Sequence, residues 1–140
     1  MKKRLKSILI GGSILAIIGF GYGYYEYSRP LPSMKNQEAS LQLLATQLFD
    51  EFENNEAASN DKYNGKIIEI SGIVKEVQTN SEGMISVLLD SQNDMFGVSC
   101  QLDNLTEHKR TKFKKGEKVT FKGKCSGILL DVVIVRCIEV

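Results

Sequence analysis

From residue 66 onward the chain alternates between apolar and polar positions. In Lys66–Val77, Ile68, Ile70 and Val74 fall on one parity with Gly72 among them, while Glu69, Ser71 and Lys75 fall on the other. A period of two is the mark of a strand with one face buried. Gly72 suits a strand that must bend to close a small barrel, because a glycine leaves no side chain at a crowded corner. The same alternation returns in Met84–Asp90, with Ile85, Val87 and Leu89 inward. It returns again in Phe96–Leu102, with Phe96, Val98, Cys100 and Leu102 on one face. Phe113–Cys125 turns at Gly116 and then places Val119, Phe121, Gly123 and Cys125 inside, and Asp131–Val140 supplies a fifth strand. Turn-forming residues at 79–83, 91–94 and 127–130 separate these runs. Asp103–Arg110 reads as a short helix capped by Asp103 or Asn104. The predicted fold is therefore mainly β. Five strands with a helix between the third and fourth make an OB-fold Greek-key barrel, closed or nearly so. An SH3-like barrel is the rival and lacks that helix.

Upstream of residue 66 the period changes. Leu41, Leu44, Leu48 and Phe52 recur every three or four residues, which predicts an amphipathic helix over Ser40–Glu53. Ser40 or Ser33 would cap it. A second short helix follows over Glu56–Tyr63 and ends at Asn64-Gly65. The apolar stripe would pack on the barrel, or else hold a partner. Earlier still, Ile8–Tyr25 is apolar apart from glycines and one serine. As a helix it would run about 27 Å, enough to cross a hydrocarbon core. It closes on Phe20, Tyr22, Tyr24 and Tyr25, an aromatic belt rather than a small-residue cleavage site. An uncleaved anchor is the expected reading, with a cleaved secretory signal as the alternative. Lys2, Lys3, Arg4 and Lys6 precede the run, so its start should stay cytoplasmic. The chain would then be single-pass in the inner membrane, with its C-terminal domain on the periplasmic side. Gly19 and Gly23 carry the G-x-x-x-G spacing that pairs membrane helices. Arg29-Pro-Leu-Pro-Ser33 is a stiff exit linker. The expected organisation is an anchor over residues 1–27, a linker over 28–39, a helical segment over 40–64 and a barrel over 65–140.

Charge modifies this picture only locally. The net charge is +1, so no global field points to nucleic acid or anionic lipid. Asp50, Glu51, Glu53, Glu56 and Asp61 make the middle acidic, and eight lysines and arginines between Lys109 and Lys124 make a later stretch basic. The chain has three cysteines, Cys100, Cys125 and Cys137, all on inward parity. In an oxidising compartment they allow one disulfide. Cys125–Cys137 is the preferred pairing, and Cys100–Cys137 is the other candidate. Without a Cys-x-x-Cys pair, thiol redox enzymology is not expected. Asp90-x-Gln92-x-Asp94 echoes a calcium loop, but Met95 stands where glycine is needed and Gln101 where a bidentate glutamate is expected. The single histidine, His108, lies among polar neighbours. No metal site, cofactor or catalytic set is expected.

The run Asn55–Val74, with its Tyr63-Asn-Gly-Lys66 start to the first strand, resembles the tRNA-anti-like OB-fold family. So do Lys115–Gly127, with Gly123-Lys-Cys-Ser-Gly127, and Asp131-Val-Val-Ile134. That family comprises small bacterial proteins, often carrying an N-terminal membrane segment or lipoprotein signal. The resemblance covers roughly residues 40–140 and implies the barrel fold. It carries over no catalytic residue.

OB barrels usually bind ligands across strands two and three and the loops that frame them. The outward positions there are Ser86, Leu88, Gly97, Ser99 and Gln101. None is aromatic, and the basic stretch lies elsewhere, so a single-stranded nucleic acid is disfavoured. The candidate binding residues are Ser86, Leu88, Ser99 and Gln101 on the face, with Thr79, Glu82, Ile128, Leu129 and Leu130 in the loops. Three consecutive apolar residues in a turn are either tucked under the barrel or offered to a partner. The expected function is a non-enzymatic binding module for a protein, peptide or glycan. A homo-oligomerising envelope protein is the alternative, and a single-strand binder the least favoured.

Overall fold

The computed structural model describes residues 2–140. The chain divides after Leu31 into a helical unit and a compact unit spanning Pro32–Val140. The first unit is one helix, α1 (Lys2–Tyr27), none of whose residues is buried. It is long and apolar enough to cross a membrane.

In the second unit a turn of 3-10 helix at Met34–Asn36, capped by Ser33, buries Met34. Then come β1 (Leu41–Leu44), α2 (Ala45–Asn54), α3 (Glu56–Tyr63), β2 (Ile67–Thr79), β3 (Ile85–Asp90), β4 (Gly97–Leu102), β5 (Lys118–Ile128) and β6 (Val132–Glu139). The strands run in the order β1-β2-β3-β4-β6-β5, and β5 pairs back onto β2. Strands β2 to β6 therefore close a five-stranded barrel of OB type. Its two-faced strands bury Ile68, Ile70, Val87, Leu89, Val98, Cys100, Phe121 and Ile134 inside, as the period-two pattern requires.

Two expected helices differ. Residues 41–44 do not begin the amphipathic helix; they form β1, parallel to β2 with Leu41 opposite Ile68 and Leu44 opposite Ser71. β2 is long, and only its second half pairs with β3. Its first half would leave an open edge of unpaired backbone groups. β1 fills that edge, and Ser40 N donates to Ile67 O at 2.8 Å. Edge pairing outweighs the helical stripe here: Leu41 and Leu43 pack on the core while Leu44 is exposed. Asp103–Arg110 is a turn-containing loop rather than a helix. Its one apolar residue, Leu105, is exposed, so a helix there would have no stripe to bury. α2 instead packs against β2, β3, β4 and β6, burying Leu48, Phe49 and Phe52.

Gly72 stands at a crowded corner, where β2 passes from its pairing with β5 to its pairing with β3. A Cβ there would come within 3.0 Å of the Ala45 Cβ and 3.3 Å of Leu89, so the glycine makes room for the start of α2. The register irregularity in β2 falls just beyond it, between Val74 and Glu76. The linker is also shorter than its predicted extent. Met34 is buried, and Lys122 Nζ donates to Gln37 O at 2.7 Å while Arg136 Nη2 donates to Pro32 O at 3.0 Å.

Candidate functional site

The register of β2, β3 and β4 assembles two rows across the outside of the barrel. One runs Gln78, Ser86, Gln101; the other runs Glu76, Leu88, Ser99 and continues to Val133 on β6. The four face residues expected from sequence are thus direct cross-strand neighbours, Ser86 with Gln101 and Leu88 with Ser99. Glu76, Gln78 and Val133 join them and were not anticipated. The shift in β2 register at Lys75 brings Glu76 and Gln78 beside β3, and the simple alternation in the sequence does not show it. Neither row contains an aromatic ring, a lysine or an arginine.

Thr79 and Glu82 lie at one end of this face. Thr79 pairs with Ile85 where β2 and β3 meet. The Asn80 side-chain oxygen accepts from Glu82 N at 3.0 Å and Met84 N at 2.9 Å, and Gly83 turns with a φ of +81°. The loop is fixed by its own backbone contacts and leaves Glu82 exposed.

The other end carries the apolar turn, whose three residues part company. Ile128 is half-buried and packs on the core. Leu129 and Leu130 are 88% and 68% exposed. Asp131 Oδ1 accepts from Gly97 N at 2.8 Å, which ties the turn to the start of β4. Two residues before Gly97, Met95 is 74% exposed. Sequence reading missed Met95 because it sits in a run of turn residues, Ser91-Gln-Asn-Asp94. Those turn residues serve the backbone. Asp90 Oδ1 accepts from Gln92 N at 2.9 Å, and Asn93 Oδ1 accepts from Met95 N at 2.9 Å and Phe96 N at 3.1 Å. Lys75 Nζ donates to Asn93 O at 2.8 Å and Asp94 O at 3.0 Å. The Oδ1 atoms of Asp90 and Asn93 are thus committed to turn geometry.

The cysteines are free and buried. The preferred Cys125–Cys137 bridge is not made, because the β5–β6 register sets Cys125 opposite Ile134. Cys137 falls at Gly123, where a Cβ would come within 2.8 Å of its Sγ. Cys137 lies instead beside Cys100 of β4, and burial, with Cys100 second, drives its thiol well above the ordinary value. Burial likewise raises the Cys125 thiol.

A polar knot closes the β6 side. Arg136 adopts a φ of +54° where the β4–β6 register slips between Cys100 and Leu102. This extra residue turns the guanidinium out of the barrel toward Asp103, at 3.4 Å. Asp103 is buried; its carboxylate also accepts from Leu105 N at 3.2 Å and Thr106 Oγ1 at 2.6 Å. Burial pushes that carboxyl up, but the hydrogen bonds from Thr106, Leu105 and Arg136 outweigh it and hold it below its usual value. His108 Nε2 lies 2.6 Å from Asp103 O, so the histidine anchors a loop. Among the described residues no group of three or more His, Cys, Asp and Glu is placed to hold a metal ion.

A closed five-stranded barrel with a polar face framed by two loops defines an OB-fold protein with an apolar N-terminal helix. The tRNA_anti-like family profile matches residues 1–139, and the chain belongs to that family. A solved lipoprotein of Klebsiella pneumoniae subsp. pneumoniae, provisionally described as nucleic acid-binding, is similar in fold. It aligns with a TM-score of 0.57 at 17% identity, over 72% of this chain and 92% of its own. The S. pombe Stn1–Ten1 complex aligns with a TM-score of 0.41 at 17% identity, covering 77% of this chain and 79% of its own. The telomere capping protein Ten1 aligns at 0.38 and 16% identity, over 71% of this chain and 79% of its own. No curated protein matches the chain.

Proposed function

We propose that this is a non-catalytic recognition module that binds an extended polypeptide. α1 would serve as an uncleaved anchor, and Lys2, Lys3, Arg4 and Lys6 before it favour a barrel on the periplasmic side of the inner membrane. The observation that carries the binding reading is the exposed apolar tip. Leu129 and Leu130, with Met95 on the adjoining loop, hold large apolar surfaces in water at the end of a polar face. Clustered exposure of this kind marks protein contact sites more often than scattered single residues do. Ser86, Ser99, Gln78 and Gln101 then supply hydrogen-bonding groups along the face, with Leu88 between them.

The Klebsiella lipoprotein's description suggests nucleic acid instead. Single-strand binding draws on stacked aromatic rings and a basic track, and neither cross-strand row supplies them. The two readings separate on the full chain reconstituted in nanodiscs. Saturable binding to members of an extended-peptide library, lost in L88S/L129S, is expected. Retention of a single-stranded oligonucleotide at low salt that fades as salt rises would overturn the polypeptide reading.

A further inference from the structure

A second surface lies away from the polar face. Lys35, His108, Lys109 and Lys122 surround a cavity of about 280 Å³ whose floor includes Ile138 and Val140. Two carboxylates, Glu107 and Glu139, also line it. Arg110 neutralises Glu139 through a two-pronged contact at 2.6 and 2.9 Å, and Arg110 also pairs with Glu117. Lys35 and Lys109 are exposed and form no ion pair among the described residues, and His108 faces the same space. Beside the cavity, next to Thr106 of its lining, Leu105 is 66% exposed. Cations around an apolar floor with a protruding leucine are the chemistry of a bilayer interface.

The chain's connectivity supplies the second argument. Lys35 belongs to the strap that leads from α1, and that strap is fastened to the barrel by Arg136 at Pro32 and by Lys122 at Gln37. Only residues 28–31 separate the last residue of α1 from Pro32. Fully extended, that stretch reaches roughly 18 Å. That length limits how far Pro32 can stand from the end of α1.

We propose that the cavity binds the phosphate of an anionic phospholipid in the leaflet from which the chain emerges, with Leu105 entering the interface. The lysines at 35, 109 and 122 contact the phosphate, and the apolar floor lies under the glycerol. This rests on the reading of α1 as a membrane anchor. Docking of this kind would fix which way the polar face of the barrel points.

The test is hydrogen exchange of the full chain in nanodiscs of phosphatidylcholine alone or mixed with phosphatidylglycerol. Amides of residues 104–110 are expected to exchange roughly thirtyfold more slowly in the anionic discs, the scale set by two lysines at a charged surface. The difference should vanish in K35E/K109E and persist in K115E/K124E, which loses the same charge elsewhere. Equal exchange in both discs, or equal loss in both variants, overturns the proposal. So does protection in zwitterionic discs on adding inorganic phosphate or an oligonucleotide, since the ligand would then not be lipid. Failure of the chain to enter discs would instead refute the anchor.

Discussion

Gly97 stands where a Cβ would collide with the Leu89 carbonyl oxygen. It lets β3 and β4 approach at the end of the polar face where Asp131 caps its N–H. G97A is expected to cost about 1–3 kcal/mol through displaced backbone, read as a lower midpoint in urea. Unchanged stability would mean that β4 has slack the packing does not show. Asp103 sets a pH dependence at the same scale. Its folded-state value is depressed, so its contribution is present above the unfolded carboxylate value of about 3.9. That contribution fades as pH falls through that value toward the folded one. The melting temperature should therefore drop below about pH 4, and D103N should flatten that drop while lowering stability at neutral pH. A D103N protein with the same acid slope would show that other carboxylates carry it. The buried thiols give a third expectation: native protein reacts slowly with a maleimide, and all three cysteines react on unfolding without reductant. Fewer than three reactive thiols would reveal a disulfide.

Elements differ in how far the sequence announced them. Alternation made β2 through β6 legible, because each strand has one face against Phe121, Ile134 and their neighbours and one toward water. β1 was not legible, since Leu41, Leu44 and Leu48 satisfy a helical period, while the strand face rests on Leu41 and Leu43 alone. What decides between them is the vacant edge of β2, a tertiary fact. The loop after Asp103 misled for the opposite reason. Asp103 looks like a helix cap, and its side chain does accept from Leu105 N and Thr106 Oγ1, but no apolar stripe follows to hold a helix down. The element that matters for stability is α2. F52A removes a fully buried ring tilted against Tyr63, 6.0 Å between centroids, and should cost about 3–5 kcal/mol. L105A, on the exposed loop, should stay within about 0.5 kcal/mol. Comparable losses from both would mean that the loop carries a helix-like packing role after all.

At the scale of the whole molecule the chain sets two surfaces on one barrel. The polar face with its tip at Leu129 and Leu130 is formed by β2, β3, β4 and the β5–β6 turn. The basic cavity lies between the strap, the Asp103–Arg110 loop and the end of β6. Sequence parity located Ser86, Leu88, Ser99 and Gln101 correctly relative to one another, because a register fixed on one side of a sheet is fixed on the other. It could not separate Ile128 from Leu129 and Leu130, which depends on where the turn leaves the core. It could not find Glu76 and Gln78 either, which reach the face only through the irregularity at Lys75. Nor could it gather Lys35, Lys109 and Lys122, which are far apart in the chain.

The central claim is that a polypeptide partner rests on the polar face and its apolar tip. Photo-crosslinking in intact membranes, with a benzophenone amino acid at position 88, 129 or 124, tests it most directly. Positions 88 and 129 should give the same discrete protein adduct, lost in L130S, and position 124 on β5 should give none. Adducts of equal yield at all three positions, or an adduct destroyed by nuclease rather than protease, would contradict it.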